Sequence, residues 1–425
     1  MRRWFQLLAG SLLALADHPA MAETIAITHA KAWTMTTADS LENATIVITD
    51  GKITSVTSGG TAPSGARLID AKGRPVTPGL IHAATHLGLL EVSSSTDTVD
   101  SGVKSGSSLG AAFDVQYAIN PNSTLVQLAR ADGVSRAITY PVNGGVAPFS
   151  GTGALLRLAD SSDLIERTHI GVFAVIGGRS SSDAGGSRAA QWKLLRTALD
   201  SAKTGLASAA SPATRTPEFL ALEPVLAGKE PLAISVNRES DIRQALKLAA
   251  DYALKVVIIG GAEAWMAADA LAAAKIPVIL DPQANLPGNF DELGARLDNA
   301  ALLHEAGVTI ATIVIAGGIH QSYNAGLSMR EGAGLAVANG LPYIDGLRSI
   351  TSVPAQIWGV ADRCGTIANG RDGDLVIWDG DPLEPSTLPV TVLISGKEMS
   401  LSTHQTELRD RYLPKAGLEG GAHRP

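Results

Sequence analysis

At 425 residues the chain is long enough for two or three domains, or for one α/β barrel with additions. Hydrophobic residues make up 45% of it, which permits a large buried core. A formal net charge of -7 without long charge blocks argues against nucleic acid or an anionic membrane surface as a partner.

Arg2 and Arg3 precede an apolar run from Trp4 to Ala16, and Ala20-Met21-Ala22 forms an A-x-A triplet. The run is too short to span a bilayer, so residues 1–22 read as a secretory signal peptide cut after Ala22. The expected product is exported to the periplasm, with no membrane insertion after cleavage. The one cysteine, Cys364, cannot form an internal disulfide and has no histidine near it in DRCGTI, which fits a structural role.

From Thr24 to Arg74 short β-branched runs alternate with turn residues, as in ATIVITDGKITSV, and predict a small sheet. Asp50-Gly51 sits between two alternating runs as a hairpin signal, since that pair accepts positive φ at both turn positions. The middle of the chain alternates strand-like runs with helical stretches. The strands are RPVTPGLIH, SRAITYP, HIGVFAVI, PLAISVN, LKVVIIG, IPVILD and VTIATIVIA; the helices include Ser187 to Leu206, Glu239 to Ala253, Ala262 to Ala274 and Asp291 to Ala306. Seven or eight strand-helix units predict an α/β fold with a (β/α)8 TIM-like barrel, an open doubly wound sheet being the alternative.

The stretch from Ser93 to Ser108 is rich in Ser, Thr, Gly and Asp and is expected to be a long mobile loop over the C-terminal mouth of the barrel. After helices near Ser328 to Asn339 and Ile344 to Val353, strand patterns return in CGTIANGRDGDLVIWDGDP and VTVLISGKEM. The two chain ends are therefore expected to meet in one small β-sandwich domain. The predicted division is 1–22 signal peptide, 23–77 with 363–400 the composite β domain, 78–362 the barrel, and 401–425 a C-terminal tail.

GRPVTPGLIHAATHLG resembles the first barrel strand of the amidohydrolase superfamily, whose pattern there is Pro-Gly-Leu-Ile-Asp-x-His-x-His. AGLAVANGLP, LRSITSVPAQIWGV and GTIANGRDGDLVIWDGDPLEPST resemble the closing part of its imidazolonepropionase-like members. Together with PLAISVNRESDIRQALKLA the resemblance covers the chain from about Thr24 to Lys397. It implies a hydrolase of non-peptide carbon-nitrogen bonds that uses one or two divalent metals, such as zinc, to deprotonate the attacking water and polarise the substrate.

The ligand set that the resemblance implies is broken. Where the family has His-x-His this chain reads Ala84-Thr85-His86, and His82 replaces the preceding Asp. Where a later strand carries His-x-His before an Arg, it has Ser235 and Asn237 before Arg238. The last strand, normally Gly-Asp-x-His, reads Gly317-Gly318-Ile319-His320. A catalytic zinc site needs at least three protein ligands. His86 and His320 are the surviving metal candidates, with Asp281 a strand-end carboxylate that could join them. His82 stands four residues from His86, roughly 13 Å along an extended strand, too far to share an ion unless the backbone turns.

His82, Asn237, Arg238 and His320 are thus candidate cleft residues. The run GGRSSSDAGGSR, with Arg179 and Arg188, is either a flexible barrel loop or an anion cradle at a helix start. The sequence points to a catalytically degenerate amidohydrolase-like protein that needs no cofactor. It would bind a small molecule or serve as partner to a related amidohydrolase subunit, and homodimerisation is the base expectation. The alternative is an active metal-dependent hydrolase of cyclic amides or amidines with a rearranged site.

Overall fold

The computed structural model describes residues 23–104, 106–178, 183–207, 215–315 and 323–413. The signal-like segment 1–22 and His320 lie outside them, as do residues 414–425.

The N-terminal stretch forms β1 (Thr24–Ala32), β2 (Leu41–Thr49), β3 (Lys52–Ser58), β4 (Arg67–Asp70) and β5 (Pro75–Pro78). The centre begins with β6 (Leu80–Thr85), α1 (Thr124–Ala131), β7 (Val134–Thr139), β8 (Phe149–Thr152), β9 (Ala154–Arg157), β10 (Ile165–Arg167) and β11 (Val172–Val175). It continues through α2 (Arg188–Ala207), α3 (Pro217–Leu226), β12 (Leu232–Val236), α4 (Glu239–Tyr252), β13 (Val256–Gly260), α5 (Ala268–Ala273) and β14 (Val278–Leu280). Then come α6 (Asn299–Glu305), β15 (Ile310–Thr312), α7 (Ala325–Ala338), α8 (Tyr343–Ser349) and α9 (Ser352–Ile357). The chain closes with β16 (Leu375–Trp378), β17 (Pro389–Ile394), β18 (Lys397–Glu398) and α10 (His404–Tyr412).

Strands from both chain ends share one eight-stranded sheet, ordered β18-β17-β16-β5-β1-β2-β3 with β4 beside β1. The β2–β3 hairpin turns at Asp50 and Gly51, whose φ angles of 49° and 74° are the positive pair that a two-residue turn demands. Side chains alternate across β16. Leu375 and Ile377 enter one apolar cluster with Ile25, Ile46 and Val76, while Val376 and Trp378 enter another with α1 and α7 residues.

RPVTPGLIH, expected as one strand, is two. The chain leaves the eight-stranded sheet at Gly79 and starts a four-stranded sheet, β10-β9-β7-β6. A Cβ at Gly79 would come within 2.5 Å of the Ser135 Cβ, so only glycine allows the neighbouring strand this close. The third sheet has six strands, β15-β14-β13-β12-β11-β8, parallel from β11 to β15 with β8 antiparallel at one edge.

One face of this third sheet packs on helices: Val172, Ile234, Ile258 and Val278 join Leu195, Leu222, Leu248 and Leu271. The opposite face, Phe173, Ala233, Val257, Ile259 and Ile279, shares a buried apolar cluster with Ile81, Ala84, Ile138 and Leu155 of the four-stranded sheet. Alternate side chains of both central sheets therefore meet in one interior, and this interior positions the candidate site.

Three further expectations need correction. Residues 291–298 are not helical; α6 begins at Asn299, because the preceding stretch bends back to make polar contacts with neighbouring strand ends. The Ser93 to Ser108 segment is pinned rather than free over its first part. A short 3-10 turn spans Thr96–Thr98, Leu90 bridges Val99, and Gly102 bridges Asn143. Finally, β8, β9 and β10 form antiparallel pairs where the sequence reading had only strand-helix alternation.

Candidate functional site

The end of β6 carries the residues singled out from sequence. All six positions of that strand are buried, and Ala84 lies fully within the interior cluster. His86, just past the strand end, is 6% exposed. Its Nδ1 lies 2.7 Å from the Tyr140 carbonyl oxygen, so Nδ1 donates.

An aromatic column continues from His86 into the core. Ring centroids are 4.6 Å apart for His86 and Tyr140, 4.7 Å for Tyr140 and Phe173, and 5.5 Å for Phe173 and Trp358. At its far end the Trp358 indole N–H donates to the Ala83 carbonyl at 2.9 Å. Tyr140 and Trp358 did not stand out in the sequence, because an aromatic at the end of a strand or helix reads as ordinary core.

His82 is fully buried, and among the described residues neither ring nitrogen has a hydrogen-bond partner. Burial drives its pKa down to about 3; the His86 ring adds to the effect, and the Ala84 backbone opposes it only weakly. The ring is therefore neutral at physiological pH.

Asn237 follows the end of β12. Its Nδ2 donates to Glu292 at 2.9 Å and its Oδ1 accepts from the Ala262 amide at 3.3 Å. Gly260, with φ of 94°, makes this possible, since a Cβ there would stand 2.4 Å from Asn237 Oδ1. Arg238 is exposed and precedes α4 without capping it through its side chain. It is not drawn together with the histidines.

Glu292 belongs to a loop, residues 281–298, that returns from β14 over the ends of β11, β12 and β13. Asp291 accepts from the Gly178 amide at 2.7 Å and pairs with Arg188, which also holds Asp241 at 3.0 Å. Glu263 accepts from the Gly294 amide at 2.9 Å, and the Trp265 indole donates to the Gly294 carbonyl at 2.8 Å. These contacts fasten the loop across the strand ends. Arg188, a possible anion ligand by sequence, is engaged by two carboxylates of its own chain; Arg179 lies outside the described residues.

Asp281 accepts a backbone hydrogen bond at each carboxylate oxygen. One carboxylate oxygen accepts from the Gln283 amide at 2.9 Å and the other from the Ile315 amide at 2.8 Å. Among the described residues no group of three or more His, Cys, Asp or Glu side chains is placed to hold a metal ion. A catalytic zinc centre needs three protein ligands, which the described residues do not assemble by themselves; His320 lies outside them.

Comparison with known proteins bears on the fold. The model of the amidohydrolase family matches residues 75–399. A curated relative, amidohydrolase tasK of Hapsidospora irregularis, is 47% identical over 57 residues, which are 13% of this chain and 6% of that protein's length. Among solved structures, an amidohydrolase from Thermotoga maritima MSB8 superposes with a TM-score of 0.80 at 23% identity, covering 88% of this chain and 99% of its own. A putative prolidase from Bifidobacterium longum gives 0.54 at 18% identity, covering 93% and 100%. These likenesses show a TIM-barrel-like α/β fold. With more than half of its length matched by the family model, the chain belongs to the amidohydrolase family.

Proposed function

We propose that this chain is an exported, periplasmic amidohydrolase-family protein that has lost metal-dependent hydrolysis and acts as a binding or partner subunit. In this reading the two central sheets are halves of one closed (β/α)8 barrel spanning 78–362. The terminal sheet, from 23–77 and 363–400, is a β-sandwich domain beside it.

The observation that carries the proposal is the state of the first barrel strand. Ala84 stands where the family has a histidine, and it packs in a buried apolar cluster with Ile138, Tyr140 and Phe173. One side chain away in either direction, His82 is buried with no hydrogen-bond partner among the described residues and His86 leans on a backbone carbonyl. Asn237, standing at a second ligand position, is committed to Glu292 and Ala262. An imidazole or two cannot grip an ion strongly enough to lower the pKa of its water.

The test is hydrolysis by the full chain, with and without added zinc, on cyclic amides, amidines and proline dipeptides. The proposal expects no turnover that His86→Ala or His320→Ala removes. Turnover abolished by either substitution would establish an active hydrolase with a rearranged site instead.

A further inference from the structure

A second cavity lies outside the barrel interior, between α2, α3 and the approach to β8. Its volume is about 410 Å³, within the range that small ligands occupy. Phe149, Leu194, Phe219 and Leu222 form apolar walls, and none of them belongs to the interior cluster around His82 and His86. Two charged side chains enter it, Arg215 and Glu218.

The two differ in what they already hold. Arg215 reaches Glu223 at 3.4 Å, and its guanidinium lies over the Phe219 ring, 5.3 Å from the centroid. Glu218 is half-buried and makes no ion pair or side-chain hydrogen bond among the described residues. Burial alone pushes its carboxyl above the ordinary range, as expected of an acid taken from water with nothing given in return. Its place in the first turn of α3 suits a negative charge, yet that accounts for the helix and not for the cavity beside it.

We propose that this groove binds a small organic cation: an amine or amidine whose apolar body fills the space between Phe149, Phe219 and Leu222 and whose charged head pairs with Glu218. The Phe149 ring adds to the attraction for a cation, the Phe219 ring being already faced by Arg215, and the desolvated carboxylate gains more from a partner here than it would in bulk water. The neutral analogue of the same shape loses the charged contact and keeps only the apolar one. Since only the carboxylate form attracts the cation, affinity rises as pH is raised through the Glu218 titration.

Calorimetric titration of the full chain with benzylamine and with benzyl alcohol tests this. Wild type is expected to prefer benzylamine by about tenfold or more, the equivalent of about 1.4 kcal/mol. Glu218→Gln, which keeps the shape, should bring the two ligands to near-equal affinity. Ser201→Trp, at an exposed lining position, should block both. No binding of benzylamine, equal affinities in wild type, a preference that survives Glu218→Gln, or binding that Ser201→Trp leaves unchanged would each overturn the proposal. None of these outcomes bears on hydrolysis at the barrel, so the two proposals fail separately.

Discussion

His82 offers the sharpest test of the buried interior, through replacement by leucine and measurement of stability against pH. The histidine pKa falls from an ordinary 6.5 to about 3 in the folded chain, so the folded state keeps the ring neutral while the unfolded chain protonates it. The sign follows from this difference. Above the unfolded value the two states bind the same number of protons and the histidine makes no pH-dependent contribution; as pH falls below 6.5 the unfolded state takes up a proton the folded state refuses, and stability drops. Between pH 7 and pH 5 the drop amounts to about 2 kcal/mol, continuing at about 1.4 kcal/mol per pH unit until the folded ring itself titrates. His82→Leu removes this contribution and two buried unsatisfied nitrogens, so it should be neutral or stabilising at pH 7. Urea unfolding of both proteins at pH 7, 6 and 5 provides the assay. The gap in favour of His82→Leu should widen by about 2 kcal/mol over that range. Parallel pH profiles would refute the reasoning, because every other titrating group is shared by the two proteins.

Further expectations concern the groups that hold the frame. Arg136 is fully buried and pairs with Glu166 at 2.8 Å as well as with Asp372 and Asp374. Arg136→Met leaves Asp374 without a cationic partner, while Glu166 keeps Arg363 and Asp372 keeps Lys52 and Arg363, and should cost about 3–5 kcal/mol in urea unfolding or abolish soluble expression. Arg188→Met frees Asp291 and Asp241; with the arginine side chain 31% exposed, the loss should be smaller, about 1–3 kcal/mol. Its signature is faster amide exchange in residues 281–298, and unchanged protection there would contradict the fastening role. Gly260→Ala puts a Cβ against Asn237 Oδ1 at a φ of 94°, and should cost about 1–3 kcal/mol by the same unfolding assay.

Local chemistry was legible in the sequence wherever one short stretch decided the outcome. Asp50-Gly51 specified its hairpin through two positive φ angles, and the helices expected over Ser187 to Leu206 and Glu239 to Ala253 appear as α2 and α4. Non-local pairing was not legible in the same way. Apolar runs such as ITYP and GTGALLRL do not announce whether a strand will pair parallel or antiparallel, so β8 to β10 went unseen. The break at Gly79 is decided by Ser135, more than fifty residues away, which no window over RPVTPGLIH contains.

The candidate site divides along the same line. Replacement of the expected ligands by Ala84, Asn237 and Gly318 could be read position by position. What fills the gap could not, because Tyr140, Phe173 and Trp358 come from three distant segments and reach His86 only once the sheets face one another. The fastening of residues 281–298 was hidden for a related reason. A stretch with helical spacing of apolar residues lost that conformation to capped carboxylates, Asp291 and Glu292, whose partners lie on other strand ends.

Metal content of the full chain, purified without chelator and passed through gel filtration before elemental mass spectrometry, tests the loss of metal chemistry most directly. The account predicts a substoichiometric trace of divalent ions that does not rise after incubation with zinc and desalting. One or more tightly retained zinc, iron or manganese ions per chain, released by His86→Ala, would contradict it.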